Sequence, residues 1–135
     1  MNTIPELYWL ALIALATLLM WMPHIFESFI RRGIFPTMGN PSPSDPPPPA
    51  WAYRSKLAHL NGIDNLVVFA PLVLSLTTIG ISNGTTLLAA KVYVLARLGH
   101  YVVYTMGIPV LRTVLFLIGV GATVAIGLVV LGAAV

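Results

Sequence analysis

The chain has 135 residues, 58% of them hydrophobic and only 8% charged, whereas an ordinary soluble domain carries charge on about a quarter of its residues. That balance excludes a soluble globular protein and makes the lipid bilayer the solvent. The formal charge of +3 is scattered along the chain without an interleaved aromatic pattern, which argues against nucleic acid as a partner. The absence of cysteine excludes disulfides and thiolate nucleophiles.

A membrane-spanning helix needs roughly 20 residues, so three or four of them use almost the whole chain. The expected fold class is all-α: an integral membrane four-helix bundle formed by a single domain, residues 1–135. The first predicted span covers 7–30 and is entered through Pro5 and Glu6, residues suited to a helix's first turn. No basic residue precedes the apolar run and Arg31-Arg32 follow it, the pattern of a stop-transfer anchor rather than a cleaved leader. Near its end His24, Glu27, Ser28 and Arg31 recur at i, i+3, i+4 and i+7 and share one stripe. That stripe reads either as an interfacial helix end with Glu27 and Arg31 paired, or as a line of contact with another helix.

Residues 33–53 hold six prolines between Pro41 and Pro49. Proline lacks an amide donor and favours polyproline II, so this segment is predicted to be an extended loop outside the hydrocarbon. It serves as a stiff spacer or, alternatively, as a ligand for a proline-binding domain. The second span is predicted over 57–80 with a kink at Pro71, a polar turn follows at 82–85, and the third span covers 86–106. Gly107 to Pro109 make a short turn into the fourth span, 110–135. Arg31, Arg32, Arg54 and Lys56 flank the first connection and Arg112 the third, while only Lys91 lies near the second. The positive-inside tendency then directs both chain ends away from the cytoplasm. A bacterial inner membrane fits the short chain and this charge pattern, and an intracellular eukaryotic membrane is the alternative.

The most polar stretch of this apolar chain is RSKLAHLNGIDN, residues 54–65. At about 100° per residue, Arg54, Asn61, Asp64 and Asn65 fall in one sector, with His59 roughly opposite Asn61. A carboxylate inside the membrane needs a cation or hydrogen-bond donors. The third span offers them through Arg97, His100, Tyr101 and Tyr104, again at i, i+3, i+4 and i+7. Three readings of the facing stripes stay open: a structural network (Asp64 to Arg97, Asn61 to Tyr104, His100 on a backbone carbonyl), a ligand site, or a proton or ion path. The histidines share no local ligand motif, so no metal site is expected, and the glycines form no phosphate or dinucleotide loop. Gly119, Gly121, Gly127 and Gly132 suit close helix packing.

Two stretches, LAHLNGIDNLVVFA and ARLGHYVVYTMGIPVLR, resemble the second- and third-span pattern of the MAPEG family, the membrane-associated proteins in eicosanoid and glutathione metabolism. The resemblance, to a bacterial-type member, extends over nearly the whole chain. It implies a homotrimer of four-helix subunits that takes glutathione as cosubstrate between neighbouring subunits near the cytoplasmic side. It implies further that Asn61 and Asp64 touch glutathione, that Arg97 and His100 orient or neutralise it, and that Tyr104 holds its peptide portion. Arg112 resembles the family arginine beside the sulfur, where a positive charge favours the thiolate, and Thr113 would donate or relay a hydrogen bond there. Leu57 stands where family enzymes commonly carry arginine, with Arg54 in partly compensating phase, and Asp64 stands where many carry glutamate. The implied function is a glutathione-dependent transferase or peroxidase acting on a hydrophobic small-molecule substrate or a lipid hydroperoxide. The alternatives are a noncatalytic protein that binds membrane lipid or regulates on the same trimeric scaffold, and a purely structural assembly protein.

Overall fold

A computed structural model describes residues 4–135; residues 1–3, the first of the expected single domain, lie outside the described residues. The described chain is helical without strands: α1 (Glu6–Leu19), α2 (Met22–Arg32), α3 (Ile34–Met38), α4 (Ala50–Ile79), α5 (Gly84–Met106) and α6 (Pro109–Ala133). Four helical stretches are long and apolar enough to cross a membrane, α1 with α2 counting as one over Glu6–Arg32. The molecule is therefore an integral, multi-pass membrane protein whose outer faces meet lipid.

The helix ends follow from a few residues. Pro23 has no amide to give and its ring crowds the preceding turn, so the first span is interrupted between Leu19 and Met22. The sequence reading, which ran one helix over 7–30, passes over this break. The run Pro46 to Pro49 keeps the backbone extended, Pro49 included, so α4 starts directly behind it, at Ala50 rather than at 57. The connecting segment is correspondingly shorter than 33–53 and contains α3. Within α4 the helix continues through Pro71, and Ser75 Oγ donates to the Pro71 carbonyl at 2.8 Å. Gly80 and Gly107 end α4 and α5 with positive φ of 69° and 83°, a conformation that favours glycine. Asn83 caps α5 by accepting from the amides of Thr85 and Thr86 at 2.9 and 3.1 Å.

Helix α5 is the hub, packed against α6, α4 and α1. Toward the chain ends the core is apolar: Leu10 and Ile13 of α1, Phe69, Val73 and Leu76 of α4, Ala89, Ala90, Tyr93 and Val94 of α5, and Ala122 and Ile126 of α6. Tyr93 stacks flat on Phe69, with ring centroids 3.6 Å apart. Lipid tails are as apolar as these side chains, so association depends on close packing and small residues. A Cβ on Gly62 would sit 3.7 Å from Met20 and Thr17, and one on Gly127 3.6 Å from Leu72, whereas Gly121 and Gly132 have nothing that close.

Polar side chains then fix the two ends of the hub. Glu6 is completely buried. It accepts from the Thr86 hydroxyl and, at 2.8 Å, from that of Ser82, which anchors α1 to the start of α5. At the other end Arg54 Nε donates to the Thr105 carbonyl at 3.0 Å, closing the last turn of α5. Tyr101 donates to the Met20 carbonyl at 3.2 Å, and its oxygen lies 2.8 Å from Ser55 Oγ, so α1, α4 and α5 are tied at one level. The half of the bundle away from the chain ends is thus the polar half, and there the candidate site lies.

Candidate functional site

Asn61 of α4, His100 and Tyr104 of α5, and Arg112, Thr113 and Phe116 of α6 line a pocket of about 260 Å³. Arg97 lies one turn deeper on α5, and its Nη2 donates to Asn61 Oδ1 at 2.6 Å. With that oxygen occupied, Asn61 has its NH2 group left to offer a ligand. The stem of Arg97 passes Gly119, where a Cβ would come within 3.2 Å of Arg97 Cδ. A side chain there would displace the Arg97 stem by a few tenths of an ångström, so glycine on α6 leaves the arginine its room.

Arg97 is buried, and its Nε and Nη1 have no hydrogen-bond partner. His100 is also buried, with Nδ1 unpartnered. Arg112 places its guanidinium 4.3 Å from the centre of the Tyr104 ring, a cation–π contact that holds the side chain along the pocket. Among the described residues the ion pairs are Arg31–Glu27 and Arg32–Asp45, so neither Arg97 nor Arg112 meets a carboxylate. Two guanidinium groups without counter-ions in a low-dielectric setting call for an anion.

The structural network expected from sequence is rearranged. Arg97 bonds to Asn61, not to Asp64, because Asp64 lies on the outer face of α4, exposed in the single chain. Tyr104 carries Arg112 rather than bonding to Asn61, and His100 finds no carbonyl through Nδ1. Arg54 is engaged at the end of α5 and does not line the pocket. The Thr113 hydroxyl donates to the Pro109 carbonyl at 3.1 Å, which leaves its oxygen lone pairs, not its proton, free for a ligand. His24 and His59 lie with ring centroids 5.9 Å apart on α2 and α4, outside this pocket, and no group of three or more metal-ligating side chains forms among the described residues.

Phe116 was not singled out in the sequence, although a signal for it existed. It follows Arg112 by one helical turn and so shares its face. Its ring centroid is 6.2 Å from that of His100, and it closes the apolar side of the pocket.

Fold and site together define a four-span helical membrane protein with an anion-seeking pocket among three of its spans. More particularly, the chain belongs to the MAPEG family, whose model matches residues 7–132. No curated protein and no solved structure matches it.

Proposed function

We propose that the protein is a glutathione-dependent transferase or peroxidase, working as a homotrimer on hydrophobic electrophiles or lipid hydroperoxides. The observation that carries this reading is the pair of guanidinium groups without a carboxylate partner, Arg112 lining the pocket and Arg97 one turn behind it on Asn61. Glutathione brings two carboxylates, one ammonium group and a thiol. Arg97, with Asn61 held beside it, meets a carboxylate, and His100 and Tyr104 contribute polar edges along the peptide portion. Arg112 at the mouth stabilises the thiolate, and Thr113 orients the ligand by accepting a hydrogen bond.

A volume of about 260 Å³ is below the usual range of about 300–1,000 Å³ for small-molecule sites. Asp64, one turn beyond Asn61, is exposed on the single chain, and a bare carboxylate facing hydrocarbon costs about 3 kcal/mol. Both observations favour a site completed by a neighbouring subunit, with Asp64 receiving the glutathione ammonium at the interface. Arg54 supports this wall indirectly by fixing the end of α5. The concentration of Arg31, Arg32, Arg54, Lys56 and Arg112 at one end of the bundle favours a cytoplasmic site, with both termini across a bacterial inner membrane.

In transfer, the thiolate sulfur forms a bond to the electrophilic carbon, the leaving group departs with its electron pair, and the thiol proton goes to solvent. In reduction, two glutathione molecules become one disulfide while the hydroperoxide becomes an alcohol and water. The test is turnover by the purified protein in lipid, with an aryl halide and with an organic hydroperoxide. Glutathione-dependent product from either substrate supports the proposal. The absence of both, with the fold intact, contradicts it and favours a noncatalytic lipid-binding role on this scaffold.

A further inference from the structure

A second cavity, of about 330 Å³, lies between α2, the proline-rich connection and the first turns of α4. Its chemistry comes from His24, Arg31, Arg32, Asp45, Tyr53 and Lys56, and Pro46, Pro47 and Pro48 form one wall. The two arginines hold that wall in place. Arg31 is paired with Glu27 at 2.6 Å and donates through Nη1 to the Pro46 carbonyl at 3.2 Å. Arg32 Nη2 meets Asp45 Oδ1 at 3.0 Å, while Asp45 Oδ2 accepts from the Ser42 amide at 3.0 Å.

Charge is not balanced inside this enclosure. Arg31, Arg32 and Lys56 supply three positive charges and Glu27 and Asp45 two negative ones, leaving one positive charge in excess. Within this lining Lys56 is exposed and, unlike Arg31 and Arg32, has no acidic partner. His24 Nδ1 is buried without a hydrogen-bond partner and lies in the same lining.

The surroundings indicate where the compensating anion comes from. Ile30 and Phe35, on α2 and α3 beside the cavity, are 86% and 87% exposed. Trp51 and Tyr53 are exposed at the start of α4, and such aromatic residues collect where membrane meets water. The cavity is therefore at headgroup depth, with apolar side chains next to it for an acyl chain. We propose that it binds the phosphate of an anionic membrane phospholipid, which Lys56 meets as a free cation while Arg31 and Arg32 supply remaining N–H donors. This site is separate from the glutathione pocket and does not depend on its function.

The full-length protein, extracted from membranes made with equal parts phosphatidylglycerol and phosphatidylcholine, tests this by native mass spectrometry. Phosphatidylglycerol is expected to be retained preferentially, and Lys56→Gln is expected to lower that preference about fivefold, the effect of one basic group at a membrane surface. Lys56 is exposed, so the variant keeps the fold. Lys91→Gln, on the opposite half of the bundle, is expected to leave the preference intact. Equal retention of the two lipids, an unchanged preference in Lys56→Gln, or an equal fall in Lys91→Gln would overturn the proposal. A second arm adds inorganic phosphate to lipid-stripped protein. Thermal stabilisation by phosphate that vanishes in Lys56→Gln, without any lipid preference, would overturn the lipid as the source of the anion.

Discussion

Arg112 lines the pocket and Arg97 lies behind it, and the two are held by different physical arrangements. Arg97 is buried and fixed by Asn61, with Gly119 making room for its stem. Arg112 is less buried and is held by the face of Tyr104, so its charge is available at the pocket mouth. The proposed thiolate contact makes Arg112 the more dispensable for folding and the more important for chemistry. Arg112→Ala is expected to lower kcat about a hundredfold, the usual order for removing a positioned electrostatic contact, while assembly is retained. The ultraviolet absorbance of bound thiolate should fall with it. An unchanged rate at saturating glutathione contradicts a role for Arg112 in thiol activation.

At the scale of elements, the bundle depends on α5 being fixed at both ends. Glu6 illustrates how context changes a residue's meaning. In sequence it is a first-turn acid, and in the fold it is a buried acceptor for Ser82 and Thr86, residues 76 and 80 positions away. Glu6→Gln keeps the shape but places an NH2 group among hydroxyl donors. It is expected to lower stability by about 1–3 kcal/mol, the cost of a buried polar group left unsatisfied. Chemical unfolding in detergent measures this, and unchanged stability contradicts the anchoring role of Glu6. The four spans were legible in the sequence because apolar length and turn residues such as Asn83, Gly80 and Gly107 act locally. The burial of Glu6 was not legible, since it requires α1 and α5 to meet at a particular height.

At the scale of the whole molecule, the same distinction separates the site residues from their contacts. Helical spacing placed Asn61 on one stripe and Arg97, His100 and Tyr104 on another, and the structure brings all four to one region. It did not reveal which partners meet, because helix rotation and axial offset decide that Arg97 reaches Asn61 while Asp64 faces outward. In the proposed trimer the outward carboxylate faces a neighbouring subunit. Asp64→Asn is expected to retain the proposed trimer and weaken glutathione binding about tenfold, as loss of a charge-assisted contact does. Sedimentation read beside binding separates the effects, and an intact trimer with unchanged affinity removes Asp64 from the site.

The most direct measurement is a calorimetric titration of glutathione into the purified protein in lipid, repeated with Asn61→Ala and Arg112→Ala. Saturable binding by the unsubstituted chain, weakened in both variants whose helical content and assembly are unchanged, is the expected result. No saturable binding, or binding that neither substitution alters, contradicts a glutathione site built on Asn61, Arg97 and Arg112.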